Sequence, residues 1–561
     1  MVPGFVLAAG FVPFAVVAIL SLAISTVYIL YFRSVNTNER STTGTAIAVL
    51  ALSLTLITSA LVPVDVFLVS YMKFSNGTYK PWAEDHAVRE AIGETVLYTY
   101  YAFYLLVIVF AFFILPLAFF FHLIGNDDGL QDDIGVTEVE PFRRRMMRAV
   151  KYTCILVVVF IALVVAGYFI PADDDILPPN ITSTATDWKV PPEFEFQEPR
   201  RFKSENILVF LLNVLNVVGM FFFVIYVGCG FSSLPYGMIK GQRSVFTRRA
   251  DVDAEIATLE AQVKRIEERS EGGATPNFDN AQLDRLQQQL RLLRRTRREL
   301  DQSGRSFLNR VILVCRPFQF VFGIFFSIVG LLIFVSLLLS SVDKSIYSLG
   351  PKHGFVLVNG SLPNPVDLLL VYSQVVFPLD YIIYCGMILF FLLCSISGLR
   401  TIGIRFFCVP VYKFRPSNTK PQALLLMCFC MMFMVLALNV VMFSVVPDYT
   451  TYGSQSYLAN STSGEVVTKR CDDVERRIVE CNMSRISYLL LAYHSRVIFF
   501  GDAYFFLIWL FILFVVLGTA YTLYRSRSSG ATEVDEEDLL DEDGDGLDRR
   551  TNPFAGGGAR A

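Results

Sequence analysis

Charged residues are scarce in this chain of 561 residues, and so are histidine and tryptophan. Asp, Glu, Lys and Arg together make up 18% of the sequence, whereas about a quarter is usual for a soluble domain. Hydrophobic residues make up 54%, and they gather in runs longer than the ~20 residues that cross a bilayer. A soluble globular protein is therefore excluded. We expect an integral membrane protein with the lipid bilayer, and no nucleic acid, as a partner.

The motifs of common catalytic and metal sites are also missing. The 4 His and 10 Cys include no CxxC pair and no Cys/His cluster, so we predict no metal site and no resident cofactor. There is no Walker A loop and no paired base and nucleophile. We therefore predict a protein that is not an enzyme, and whose energy would have to come from a gradient or a partner.

Nine apolar runs predict an all-α, polytopic fold with nine transmembrane helices. The runs lie at residues 5–32, 44–72, 95–123, 150–170, 207–229, 311–341, 366–396, 423–446 and 498–524. The first run is too long for a signal peptide, and its first charge, Arg33, follows it, so we expect a retained helix. The predicted domains are helices one to five in 1–229, a cytosolic helical hairpin in 230–310, helices six to nine in 311–524, and an acidic, disordered tail in 525–561.

Two independent signals predict the orientation of these helices. Lys and Arg cluster in the loops after the first, third, fifth and seventh runs, and short basic loops stay in the cytosol. The segment 397–422 alone holds five basic residues and no acid. All acceptors for N-glycosylation fall in the other loops, namely Asn76, Asn180, Asn359, Asn460 and Asn482. The N-terminus is therefore predicted to be lumenal and the C-terminus cytosolic.

The cysteines fit this orientation. Cys471 and Cys481 are the two cysteines in a predicted lumenal loop. Because an oxidising compartment favours disulfides, we predict a bond between them.

The largest soluble piece, at 230–310, predicts a helical hairpin. Val252, Ile256 and Leu259 begin a heptad seam, a Gly-Gly-Ala-Thr-Pro break follows at 272–276, and leucines then resume the pattern. The arginines at 291–298 have two interpretations, a contact with anionic lipid or a solvated basic face.

Two aspartates lie inside apolar runs, each two residues after a proline: Pro63 precedes Asp65, and Pro378 precedes Asp380. A carboxylate at the bilayer centre costs about 2.5–3.5 kcal/mol even on a mild scale, so repeating it suggests a use. The two runs cross in opposite directions, as in an inverted repeat around a midplane site, with Asp380 near mid-span and Asp65 in the lumenal third. Two hypotheses remain: a polar path for a proton or substrate, or structural carboxylates bonded to neighbouring helices.

Other polar residues in the runs are expected to bridge helices by hydrogen bonds: Asn213, Asn216, Gln374 and Asn439. Arg496 and Asp502 are expected to form an ion pair at the lumenal rim.

The tail carries two competing patterns. Asp535, four residues before Leu539 and Leu540, has the form of an endolysosomal sorting signal that clathrin adaptors bind. The acids from Asp541 onward imitate a calcium-binding loop, but its twelfth position is Asn552 instead of Glu, so we reject calcium.

Several segments carry a family resemblance. They are 58–73 (TSALVPVDVFLVSYMK), 233–235 with 239–241, 377–382 (FPLDYI), 401–404, 420–425 (KPQALL) and 452–455. In this order they resemble the lysosomal cobalamin transporter family, within the wider group of limb-region and lipocalin-interacting membrane receptors. The 58–73 segment favours the cobalamin branch.

The resemblance implies a protein of the lysosomal membrane that exports cobalamin to the cytosol, together with an ABC-type half-transporter. Cobalamin would be the transported ligand, not a cofactor. The alternative is a receptor or scaffold that supports a partner ABC-type transporter or an endocytic adaptor. Cobalamin is large and the runs hold few polar residues, which is a physical objection to transport by this chain alone.

Overall fold

The computed structural model describes residues 4–34, 41–132, 142–169, 203–240, 245–271, parts of 286–297, and most of 316–528. Within these residues, nine helices are long and apolar enough to cross a membrane. The prediction of nine spans is therefore confirmed. In chain order the spans are Gly4–Phe32, Thr42–Tyr71, His86–Asp132, Phe142–Phe169, Lys203–Lys240, Arg316–Tyr347, Leu379–Ile402, Pro421–Val445 and Ile498–Ser528.

The third span contains one local irregularity. Its two α-helical parts, His86–Val109 and Leu115–Asp132, are joined by a π-helical turn at Phe110–Ile114. Pro116, two residues after this turn, has no N–H to donate, so the hydrogen-bond ladder shifts before it.

The eighth span lies at the centre of the bundle. Nearly every residue from Gln422 to Val445 is buried, and the span contacts the second, third, fifth, sixth and seventh spans. The first and fourth spans instead expose most of their apolar side chains, as helices facing lipid do.

The fifth span approaches the seventh so closely that side chains are excluded. Gly230 packs against the backbone carbonyl of Cys394, and Gly398 packs against the carbonyl of Tyr226. A Cβ atom at either glycine would collide with that carbonyl. Small residues at this crossing therefore let the two backbones touch, which is how membrane helices gain packing contacts.

The seventh span differs from its prediction as one helix over 366–396. The structure divides that region into a short helix, Pro365–Ser373, and the span proper, Leu379–Ile402. Pro378 lacks a backbone donor and disfavours helix at the residue before it, and the helix of the span begins only after it. Asp380 consequently lies in the first turn of its span, and its predicted place near mid-span is wrong.

A helical hairpin follows the fifth span. Helix Val245–Glu271 packs on the described part of 286–297 through Val252, Ile256 and Leu293. Arg294 pairs with Glu260 at 2.9 Å and Arg297 with Asp253 at 2.8 Å. Because the later arginine pairs with the earlier acid, the two segments run antiparallel.

The connection between the eighth and ninth spans folds over one face of the bundle. We call its described residues, 447–460, 466–471 and 481–496, the cap. It contains helix Pro447–Tyr452, antiparallel strands Ser456–Asn460 and Val466–Arg470, and helix Arg485–Arg496. A disulfide joins Cys471 to Cys481. A second two-stranded sheet, Ile404–Phe406 with Val409–Tyr412, precedes the eighth span.

Candidate functional site

Asp65 and Asp380 both lie beneath the cap, and each is only 2% exposed. Asp65 is in the second span, six residues before its end at Tyr71, whereas Asp380 begins the seventh. The cap helices contact the second span, and the second and seventh spans contact each other. The structure thus brings the two aspartates to the same face, and the predicted arrangement around a midplane is wrong.

Asp65 anchors the second cap helix. The Ile486 backbone N–H donates to Asp65 Oδ2 at 2.8 Å, and the N–H of Arg485 also bonds this carboxylate. Ser484 caps the same helix end, since its Oγ accepts from the Ser487 N–H at 3.3 Å. Free N–H groups and the helix dipole both favour a negative charge at a helix N-terminus.

A positive charge also faces Asp65. The Arg485 guanidinium lies against Gly93 of the third span, where any larger side chain would occupy its place. From there it attracts the Asp65 carboxylate. Asp65 is therefore held by two backbone donors and one cation, all at the start of a single helix.

Asp380 is held by a tyrosine of the first cap helix. The Tyr449 hydroxyl donates to Asp380 Oδ2 at 2.9 Å, and the backbone N–H of Tyr381 also bonds the carboxylate. Burial and then the negative charge of Asp380 raise the pKa of Tyr449 above its usual value. Its hydroxyl therefore stays protonated and remains a donor.

Buried tyrosines fill the space between the two carboxylates. Tyr100 of the third span lies beside Asp65 and interacts electrostatically with Tyr384 of the seventh. The Tyr384 ring lies 5.4 Å from the Tyr449 ring, and its hydroxyl is 3.2 Å from Thr450 Oγ1. A row of phenol rings thus runs from Asp65 to Tyr449, the partner of Asp380.

Tyr100 differs from the other members of this row. Its hydroxyl is fully buried and interacts with the Asp65 carboxylate, but with poorer geometry than the other bonds to the two aspartates. One turn further, Tyr104 accepts from Asn439 Nδ2 at 3.1 Å. These tyrosines were not among the predicted site residues, although their spacing of four residues in an apolar run indicates a shared helix face.

The expected helix-bridging residues have mixed outcomes. Asn439 bonds Tyr104, and Asn213 accepts from the Tyr504 hydroxyl at 3.0 Å, as predicted. The Gln374 amide nitrogen is buried without a hydrogen-bond partner among the described residues. The side chain of Arg496 lies outside the described part, and with it the expected ion pair to Asp502.

Two glycosylation acceptors lie on the face of the cap. Asn76 is exposed, and its Oδ1 accepts from the Thr78 hydroxyl at 2.7 Å. Asn482 is partly buried, with its Nδ2 3.8 Å from Met72 Sδ. Outside the described residues or side chains lie Asn180, Asn359, Asn460 and the tail residues Asp535, Leu539 and Leu540.

These features define a polytopic helical membrane protein with two covered carboxylates on one face. The chain belongs to the family of LMBR1-like membrane proteins, whose family model matches residues 11–316. The family resemblance inferred from its segments is thereby confirmed.

Curated relatives match nearly the whole chain. A protein of Nematostella vectensis named "Probable lysosomal cobalamin transporter" is 36% identical over 97% of this chain and 98% of its own length. Proteins named "Lysosomal cobalamin transport escort protein LMBD1" are 34% identical in Danio rerio, over 95% of this chain and 97% of that protein, and 35% in Bos taurus, over 94% and 95%. No solved structure matches the chain.

Proposed function

We propose that this chain acts in the export of cobalamin from the lysosome to the cytosol. It is a multi-pass protein of the lysosomal membrane, with the N-terminus and the cap on the lumenal side and the C-terminus in the cytosol. Support comes from relatives that match nearly its full length and whose names place them in lysosomal cobalamin transport. The exposed acceptor Asn76 on the cap face and the basic segment 397–422 support the orientation.

Of the two roles that the relatives' names describe, the geometry favours escort. The observation that carries this choice is the packing of the bundle interior. The eighth span is buried along its length, and Phe223, Phe390, Phe391 and Phe511 interlock beside it. Cobalamin is a large ligand rich in amide groups, and its passage needs a wide space with polar partners. Large apolar side chains occupy the interior of the described spans, so we assign the passage to a partner transporter of the ABC type.

The hairpin offers this partner a docking arm on the cytosolic side. Its two segments bury a small core of their own and hold each other by ion pairs, so the arm keeps its shape outside the membrane bundle. An arm of this kind can bind a partner without altering the spans.

Flux measurements in liposomes test the escort role. Labelled cobalamin would be followed with the chain alone, with the ABC-type half-transporter alone, and with both. We expect flux with the partner, and loss of partner capture when 251–301 is deleted. Deletion of 530–561 is the matched control and should preserve capture. Rapid flux through the chain alone would contradict the escort role.

The carboxylate pair supports a second candidate, transport by the chain itself. Two buried acids connected by tyrosines are costly in a membrane and suit a proton or substrate path. In this case Asp65→Asn and Asp380→Asn should impair flux at unchanged protein level and glycosylation. Glu84→Gln, at an exposed acid on the same face, should not. Normal flux in both aspartate variants would remove this candidate.

A further inference from the structure

The cap is tied to the bundle at two buried acids. At the start of its second helix, the Ile486 N–H donates a hydrogen bond to the Asp65 carboxylate. In its first helix, the Tyr449 hydroxyl donates to the Asp380 carboxylate. The two helices are also joined to each other, because Ser484 donates from its hydroxyl to the Thr450 carbonyl at 2.7 Å. One rigid unit is thus held down at two points.

The groups that hold the two carboxylates are donors and one cation, which favour the ionised form, whereas the burial of each carboxylate at 2% exposure disfavours it. Asp65 faces the Arg485 guanidinium and backbone donors from the cap, with Tyr100 and Tyr104 from the third span and Tyr384 from the seventh. Asp380 faces Tyr449 from the cap, and Tyr381 and Tyr384 lie close by on its own helix. An ionised carboxylate accepts strong, charge-assisted bonds from such groups, and a protonated one loses most of that strength.

Two bonds within the described part of the cap join amide groups that do not titrate. Gln455 Nε2 donates to the Asn482 carbonyl at 2.7 Å, and the Cys471 N–H donates to the Gln455 carbonyl at 3.0 Å. The disulfide from Cys471 to Cys481 closes the same unit. Acid leaves these two bonds and the disulfide in place, so protonation of Asp65 and Asp380 weakens the attachment of the cap to the spans in particular.

We propose that the cap is a pH-sensitive latch, closed over Asp65 and Asp380 while both are ionised and released when they are protonated from the cap side. This inference rests on the proposed lysosomal location, because an acidic lumen would then drive the release. Release uncovers the tyrosine row and the buried Tyr100 hydroxyl, and so regulates access to the site from the lumen.

Hydrogen exchange of the full-length protein in nanodiscs tests the latch. Peptides covering 447–452 and 485–490 would be compared at about pH 7.5 and about pH 5, after correction for intrinsic exchange. In the wild type we expect corrected exchange to rise about tenfold at the lower pH. In the double variant Asp65→Asn, Asp380→Asn, exchange should already be fast at the higher pH, with less than about a twofold response to acid. Glu84→Gln should behave as the wild type does.

Unchanged protection in the wild type at both pH values would overturn the latch, and so would a full pH response in the double variant. If that variant does not fold, Tyr449→Phe keeps both acids and should speed exchange in 447–452 at the higher pH. Equal exchange in Tyr449→Phe and wild type would also overturn it. The exchange measurement needs no cobalamin, so the two proposals can fail separately. A pH response in exchange together with no cobalamin flux in liposomes would refute the proposed function alone. Cobalamin flux together with no pH response in exchange would refute the latch alone.

Discussion

Pro63 and Pro378 stand at the same distance from their aspartates, yet the helix continues through Pro63 and starts anew after Pro378. The second span packs against the first and eighth spans, and Val62 and Val66 on either side of Pro63 are buried, so packing keeps this stretch helical. Before Pro378 there is only a nine-residue helix, held at its start by Asn364. Neighbouring contacts, more than the proline itself, decide whether the chain bends or breaks.

The two aspartates lie on the same face but consequently accept hydrogen bonds from different kinds of donor. Asp65 accepts backbone donors from another helix deep in a continuous span, whereas Asp380 accepts a side-chain hydroxyl at the start of its own helix. A shared pattern of three residues therefore does not make a structural repeat. Substitution of each aspartate should therefore change the free energy of unfolding by a different amount.

Removal of Asp65 should have the largest effect. Asp65→Ala leaves the N–H groups at the start of the second cap helix unpaired and Arg485 without its carboxylate. We expect the free energy of unfolding to fall by about 3 kcal/mol, against about 1–2 kcal/mol for Asp380→Ala. Thermal unfolding in detergent would rank the two variants. Equal losses would show that the two sites are equivalent after all.

Loss of the disulfide should come next. Cys471→Ser with Cys481→Ser opens a loop whose ends are 10 residues apart, directly before the helix that Asp65 holds. We expect a loss of about 2 kcal/mol, chiefly because the unfolded chain regains freedom. Cys154→Ser, at an exposed free cysteine, is the control and should change little. Proteolysis within 472–480 that is no faster in the double variant than in the control would contradict this expectation.

Two tyrosine variants sharpen the comparison with a smaller effect. Tyr449→Phe removes the donor to Asp380 and should cost about 1.5 kcal/mol, since bonds to charged groups are the stronger ones. Tyr100→Phe removes a hydroxyl that reaches Asp65 only with poor geometry, and it should cost less than Tyr449→Phe. Midpoints of thermal unfolding test both, and a larger loss for Tyr100→Phe would reverse the assignment of the two hydroxyls.

The smallest effect is expected at Pro63. Pro63→Ala supplies the N–H that a continuous helix lacks at this position, so stability should rise by about 0.5 kcal/mol. Pro378→Ala should not raise it, because Pro378 lies just before the start of a helix, where no N–H is missing from a helical ladder. The same unfolding assay applies, and a gain at Pro378 larger than at Pro63 would contradict our explanation of the break.

Much of this fold follows from local sequence, and much of the site does not. Run length alone predicted nine spans, because crossing a bilayer demands about 20 apolar residues wherever they occur. The heptad seam of Val252 and Ile256 likewise predicted helix pairing. The pairing of Asp65 with Ile486 joins residues 421 positions apart. No local pattern encodes that contact, so the cap and its tyrosine row became visible only in three dimensions.

The central position of the eighth span has a consequence for biosynthesis. The five spans that surround it are all translated earlier, so a ribosome must release Pro421–Val445 into a ring that is already made. Until the eighth span is inserted, the space between the five earlier spans has to be occupied by lipid or by an insertion chaperone. A product truncated before Pro421 would lack the central helix of the bundle, and we expect quality-control proteases to degrade it.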